Sequence, residues 1–506
     1  KPVIPGLVMV HEHLFYPTGP GVYGNLSESF SRLYLAGGVT SMRTGGNMNG
    51  YGELNIAKAI ARGDKPGPWI DATAPYVNGP NPFGQMRALE TPEEARRFVN
   101  WWADQGATSF KAYMQVHRDV LGAAIAEAHK RGMELHAWFN PYRALAGEKH
   151  APNATHMRRA HPEWTMKYSI DWWMNPGVPE VRQQAVAVML DVTRRYDVDG
   201  IHIDDYFYPY PSYNNGEDFP DSVSWKAYQQ SGGKLSRGDW RRNAVNVFIE
   251  QLYKKIKAAK PWVKFGLSPF GIWRPGYPES VGGFDQYDQL YADAKLWLNK
   301  GWIDYFAPQL YWPINRPAQS FPVLLGWWAG ENTMKRHLWP GISVGRDTSA
   351  KNINEILSQI QISRGMLPES KGVIHWSISS VTKNPPMANA LLETPYKKQA
   401  LVPASPWLDN QAPASPNMQL QVKNGMAQIQ WTHPDLNDVF HWVLYTEYGE
   451  GKVKDYTIFS RKIDHIEIPV EKMIDKNKLS LTSVRLTAVD RCGNESEKPV
   501  IAEVIR

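Results

Sequence analysis

Short apolar segments rich in Val, Ile, Phe, Tyr and Trp recur through the first 380 residues, separated by longer stretches of helical periodicity. The strand candidates are Gly6–Leu14, Val39–Thr44, Trp69–Val77, Thr108–Met114, Met133–Phe139, Gly200–Tyr206, Val263–Phe270, Ile303–Trp312, Leu338–Val344 and Val373–Ile378. Between them, Pro92–Gln105, Arg118–Arg131, Pro179–Tyr196 and Asp239–Ala259 carry apolar residues at the spacing of amphipathic helices. This alternation predicts an α/β fold with parallel strands and crossover helices, a (β/α)8 TIM-type barrel. Ten candidates compete for eight positions, so two lie in insertions or the barrel is irregular. Many of the segments end in polar or aromatic residues at their C-terminal ends, where such barrels place their chemistry.

The pattern changes after Ser380. Ala400–Pro416 is rich in Pro, Ala and Ser and reads as a linker. Beyond it, Met418–Val422, Met426–Trp431, His441–Glu447, Asp455–Ser460, His465–Pro469, Ser483–Val489 and Val500–Ile505 read as seven strands of a small β-sandwich. The expected organisation is a barrel over 1–399, a linker at 400–416 and a sandwich over 417–506.

Composition narrows the chemistry. Across 506 residues, 56 Lys and Arg face 50 Asp and Glu, a net +6 too mild for a nucleic-acid footprint. The basic pairs Arg241–Arg242 and Lys254–Lys255 are expected on solvated helix faces. No run of eighteen apolar residues exists, so no transmembrane helix is expected. The 21 Trp and 24 Tyr exceed what an ordinary core needs, and their broad apolar faces with polar edges suit sugar rings. One cysteine, Cys492, excludes an intramolecular disulfide and any cysteine-based zinc cluster. Lys1 is not an initiator residue, which leaves a processed or an engineered chain open.

The densest chemistry lies in Asp197–Pro211 (DVDGIHIDDYFYPYP). In a strand alternate residues share a face, so His202, Asp204 and Tyr206 point together while Asp205 points away or breaks the strand. Asp204 and Asp205, adjacent at a strand end and followed by aromatics, suit acid/base chemistry on a glycosidic bond. Close carboxylates also drive each other's pKa apart. Substrate-binding candidates at other strand ends are Asn140, Arg143, Gln309 and Tyr311, with Trp273, Trp312 and Trp376 as stacking platforms. Asp285, Asp288 and Asp293 read as surface or capping residues.

The strings GMELHAWFNPYRA (132–144), HPEW (161–164), NPGVPEVRQ (175–183), RRYDVDGIHIDDYFYPYP (194–211), LSRGDWRRNAVNVFIEQLY (235–253), KPWVKFGLSPFGIWRP (260–275), YADAKLWLNKGWIDYFAPQLYW (291–312) and GVIHWSIS (372–379) together resemble the bacterial glycosyl hydrolase-like 10 family. The resemblance runs from about residue 125 to 395. It implies a TIM-barrel glycosidase of the cell envelope acting on denuded peptidoglycan strands, with no cofactor required, in a periplasmic, envelope-bound or secreted protein. Val484–Asn494 (VRLTAVDRCGN) resembles the penultimate strand and turn of fibronectin type III modules, which implies a packing or adhesive tail. More faintly, the stretch around Asp199 resembles the chitinase motif DGxDxDxE. Asp199, His202 and Asp204 stand at its carboxylate positions and Tyr206 where its acid Glu would be, so that mechanism does not carry over.

The first 131 residues resemble a different family. His11-Glu-His13 closes a leading strand (PGLVMVHEHLF), two histidines on one face that can chelate one ion, and Lys111 lies in GATSFKAYM. These resemble the amidohydrolase superfamily, whose barrels use a carboxylated lysine to bridge two metals. Val373–Ile378 offers no aspartate where that family needs one, so an intact binuclear centre is not expected. The chain therefore reads as a natural or engineered chimera joined near Ala128–Gly132. Three functions follow: a glycoside hydrolase centred on Asp204 and Asp205; a zinc-type amidohydrolase using His11, His13 and Lys111; or a non-catalytic glycan-binding barrel. The expected partner is an oligosaccharide or glycan strand.

Overall fold

The structure is a computed structural model that describes residues 7–19, 22–48, 50–78, 87–89, 92–107, 110, 120–147, 155–345, 350–474, 476–497 and 499–503. Residues 1–124 and 125–506 form two compact units. In the first, Leu7–Glu12, Val39–Thr44 and Trp69–Asp71 make a parallel three-stranded sheet in that order. Helices Ser27–Ala36 and Tyr51–Ala61 link these strands, and Val39, Met42, Leu54, Ile70 and Trp102 share its core. The candidate strand Thr108–Met114 lies, apart from Phe110, outside the described residues.

In the second unit five parallel strands lie side by side in chain order: His136–Phe139, Gly200–Ile203, Lys264–Leu267, Tyr305–Phe306 and His337–Leu338. The last resumes as Gly341–Ser343 and pairs in parallel with Ile374–Trp376. Backbone bridges from Gln309 to Phe270 and Gly341 carry the sheet across the interruption. The described residues of this unit thus supply six consecutive positions of barrel-type winding, not eight. Wherever a strand was expected and the residues are described, a strand is present.

The register decides which side chains share a face. His136 lies beside Gly200, Gly200 beside Lys264, His202 beside Trp138 and Gly266, and Gly266 beside Tyr305. These residues occupy one face; Ile201, Ile203, Phe265, Leu267 and Phe306 alternate to the other and are fully buried. Helix Pro179–Arg195 starts with proline in its first turn, which needs no N–H there, and buries Val181, Ala185, Val186, Met189 and Leu190 at helical spacing. It packs on Arg237–Ala259, whose first turn is capped by Ser236 accepting the Asp239 N–H.

Two sequence expectations need correcting here. Arg241 does not lie on a solvated face: it is 2% exposed and its guanidinium donates to both oxygens of buried Asp221 and to Asp218. The fork geometry of arginine matches two carboxylates at once, which makes burial of the charge tolerable. The second correction concerns residues 400–416. Ser405 is fully buried, meets His337 Nε2 through its hydroxyl at 3.0 Å and donates its N–H to the Cys492 carbonyl. Trp407 donates its indole N–H to Asp304 at 2.9 Å, and Arg336 lies over its ring. The segment is a packed strap.

Residues 417–503 form two antiparallel sheets, one of three strands and one of five, around Ile429, Trp431, Trp442, Leu444, Val484 and Leu486. Eight strands appear where seven were expected; the extra one, Glu471–Ile474, forms a hairpin with the long strand Asn477–Val489. From the turn after that strand, Arg491 donates to Asp197 and Asp199 at the N-terminal end of the Gly200–Ile203 strand. A three-stranded antiparallel insertion, Arg143–Leu145 with Thr165–Tyr168 and Asp171–Met174, follows the first strand of the second unit and was not foreseen. Among the described residues no helix is long and apolar enough to cross a membrane.

Candidate active site

Asp204 and Asp205 follow directly on the Gly200–Ile203 strand, at its C-terminal end. Asp204 is half-buried and Asp205 almost fully buried. The Oδ1 of Asp204 accepts the Gln309 side-chain amide at 2.8 Å and the Asp205 N–H at 3.0 Å, and Trp138 adds a further hydrogen bond. Asp205 accepts the Tyr210 hydroxyl, and the two carboxyls are themselves hydrogen-bonded. Neither is ion-paired among the described residues, although the Arg143 charge faces Asp204.

Burial raises the pKa of both carboxyls above the usual range. For Asp205 the Asp204 charge pushes further in the same direction. Two acids in one low-dielectric site cannot both ionise cheaply, so the pair retains a proton where ordinary carboxylates have lost theirs.

Aromatic residues wall the pair. Tyr210 packs on Phe284, Phe270 and Tyr213, and Phe270 meets Trp312 edge-on at 5.5 Å. Tyr206 lies 4.7 Å beneath the Arg143 guanidinium, which also covers Trp173 and sits 3.6 Å from Asp171. Asn140 accepts the N–H groups of Tyr142 and Arg143 through Oδ1, fixing the turn after its strand, while its Nδ2 is buried without a partner. Trp376 is 61% exposed at the end of the last strand, and Tyr311 and Trp312 are half-buried beyond Gln309.

Three sequence candidates are placed differently. Gln309 spends its amide N–H groups on Asp204 and the Ser268 carbonyl, which makes it a holder of the carboxylate. His202 is half-buried between Tyr305 and Ser268, with a pKa lowered by desolvation to about 3, so it is a neutral ring under the site. Trp273 stacks on Trp327 at 6.0 Å, carries Lys295 over its face and donates to Asp293. No described contact ties it to the carboxylates. Asp199, matched to a chitinase carboxylate, lies at the opposite end of the strand and accepts from Leu135, His129 and Arg491. Asp285 and Asp293 cap short helices, as the sequence implied. Trp138, 55% exposed, and Tyr210 were not singled out beforehand. Alternation with His136 and Asn140 was the available signal for Trp138.

For the metal alternative, His13 Nδ1 lies 3.3 Å from the Gly46 carbonyl and its ring packs on Phe15. Lys111 and the side chain of His11 lie outside the described residues. Among the described residues no group of three or more His, Cys, Asp or Glu has metal-binding geometry.

Comparison with known proteins adds the family. The profile of the glycosyl hydrolase-like 10 family matches residues 98–359. The glycosyl hydrolase YngK of Bacillus subtilis (strain 168) is 38% identical over 399 residues, covering 75% of this chain and 77% of that protein. The chain belongs to the glycosyl hydrolase-like 10 family. This membership supports a glycosidase-type function. A second relative, the glycosyl hydrolase DigH of Escherichia coli (strain K12), is 38% identical over 225 residues, 42% of this chain and 50% of that one. Among solved structures, the glycoside hydrolase domain of PgaB (BpsB) from Bordetella bronchiseptica aligns with TM-score 0.37 and 12% identity, over 57% of this chain and 82% of that one. The profile match starts upstream of the expected join at Ala128–Gly132.

Proposed function

We propose that this protein is a glycoside hydrolase acting on bacterial cell-wall glycan strands stripped of their peptides, in the cell envelope or outside the cell. The observation that carries the reading is the adjacent carboxyl pair, one member half-buried and the other buried beneath Tyr210. The pair retains a proton because both acids are desolvated. It delivers that proton through Asp204, the member solvent reaches, to the glycosidic oxygen as the anomeric carbon–oxygen bond breaks. The charge left on the pair stabilises the cationic sugar; water then adds to the anomeric carbon and returns a proton to the pair.

The wall residues suit such a substrate. Trp376, Trp312 and Trp138 offer apolar faces to sugar rings, and Arg143 offers a charge to the lactyl carboxylate of a muramic acid. The C-terminal sandwich, fibronectin III-like in its VRLTAVDRCGN turn, acts as a packing module. Incubation with peptide-free peptidoglycan strands tests the reading. Wild-type protein releases sugar, Asp204→Asn and Asp205→Asn each lose about 10²-fold or more, and a chelator changes nothing. Release unaffected by either substitution overturns it.

A further inference from the structure

Beneath the carboxylates, one face of the parallel sheet carries a continuous chain of polar contacts instead of the apolar filling common in such sheets. Lys264 Nζ donates to Glu134 Oε1 at 2.5 Å, and His136 Nε2 lies 2.9 Å from Glu134 Oε2. His136 Nδ1 and His202 Nδ1 each lie 2.8 Å from the single hydroxyl of Tyr305. His202 Nε2 lies 2.7 Å from Ser268 Oγ. The Ser268 carbonyl and Asp204 then share the amide of Gln309. Lys264 and Tyr305 are 1% and 2% exposed, while Glu134, His136, His202 and Ser268 are half-buried. Glycine at 200 and 266 makes the space: a methyl at Gly200 would collide with the His136 ring, and one at Gly266 with the Tyr305 ring.

The protons in this chain are not independent. Burial alone would raise the Glu134 pKa, but the Lys264 charge and the hydrogen bond from His136 lower it, so Glu134 only accepts. His136 must therefore carry its proton on Nε2. Lys264 already balances the Glu134 charge, and a neutral His136 leaves the cluster uncharged, with Nδ1 as an acceptor. Tyr305 has one proton, which goes to His136, so His202 must donate to Tyr305 from Nδ1. A neutral His202 then has a bare Nε2, and Ser268 must donate to it. A second proton on His136 would leave its bond to Glu134 unchanged but reverse the His136–Tyr305, Tyr305–His202 and His202–Ser268 bonds, turning the Ser268 proton outward.

We propose that Glu134, His136 and Tyr305 are positioning residues that lock His202 in its Nδ1–H tautomer and thereby commit the Ser268 hydroxyl proton away from the carboxylate site. The functional half of this proposal rests on the glycosidase reading; the tautomer half does not.

The test is the ring-nitrogen NMR spectrum of the full chain labelled with 15N-histidine, with His202→Gln used for assignment. His202 shows a protonated Nδ1 and an unprotonated Nε2 in the wild type. In Tyr305→Phe the Nδ1 acceptor is gone and His202 shifts towards the Nε2–H form; Glu134→Gln, which need not hold His136 in one orientation, shifts it partly. In sugar release, Tyr305→Phe lowers kcat about tenfold with KM unchanged, because the bound sugar is not touched. A wild-type His202 protonated on Nε2, or a tautomer unchanged in both variants, overturns the proposal. Correct tautomers with no sugar release from the wild type would instead overturn the glycosidase reading. Correct tautomers with undiminished kcat in Tyr305→Phe overturn the functional half alone.

Discussion

Gln309 holds Asp204: its amide nitrogen, 2.8 Å from Oδ1, is anchored at the same time on the Ser268 carbonyl. The contact joins strand ends 105 residues apart in sequence. Gln309→Leu removes a donor that favours the ionised carboxylate and frees the side chain to turn. Activity falls about 10- to 100-fold, in line with the ~1.5–3 kcal/mol of a hydrogen bond to a charged group. The Asp204 pKa, already raised by burial, moves further up, which a kcat/KM pH profile reads as a displacement to higher pH.

Tyr210 acts on the other acid. Its hydroxyl donates to Asp205 and favours the charged form, opposing the burial that raises the pKa. In Tyr210→Phe the pair holds its proton to higher pH, so the alkaline limb of the pH–rate profile moves upward. Stability follows the same sign. A carboxyl with a raised folded pKa weakens the fold as pH climbs from the unfolded value towards the folded one. Asp205→Asn therefore melts higher than wild type at pH 8 and loses that advantage at pH 4, while its activity is lost at both.

The Arg241–Asp221 pair is buried on both sides, at 2% and 0% side-chain exposure. Asp221→Ala leaves a buried guanidinium with Asp218 alone to balance it. It costs about 3–5 kcal/mol, measured as a drop in the urea midpoint. Lys254→Ala, on an exposed i,i+4 pair, shifts the midpoint by less than about 0.5 kcal/mol.

The packed strap makes a separate claim. Trp407→Ala removes the indole donor to Asp304 and the surface on which Arg336 lies. About 2 kcal/mol is lost, roughly half the cost of truncating a fully buried tryptophan. Limited proteolysis then cuts within 394–416, while sugar release by the uncut protein is retained.

Much of this was legible in the chain. Period-two alternation put His202 and Asp204 on one face, and the strand-to-helix rhythm located the parallel sheet. What escaped depends on partners far away in sequence. Arg241 looks like half of an exposed basic pair until Asp221, twenty residues earlier, is seen folded against it. Gln309 reads as a sugar ligand because nothing local shows that Asp204 takes its amide. Residues 400–416 have a linker's composition, and only Asp304, His337 and Cys492 turn them into a packed segment. Trp273 shows the limit for aromatics: the sequence supplies the ring, but Trp327 and Lys295 decide what it faces.

The two bare positions under the rings tie four sites of the chain into one unit of variation. A library randomised at 200 and 266 should return glycine at both unless 136 or 305 shrinks in the same clone. A lineage that abandons the histidine–tyrosine lattice would be recognisable by side chains reappearing at 200 and 266 together.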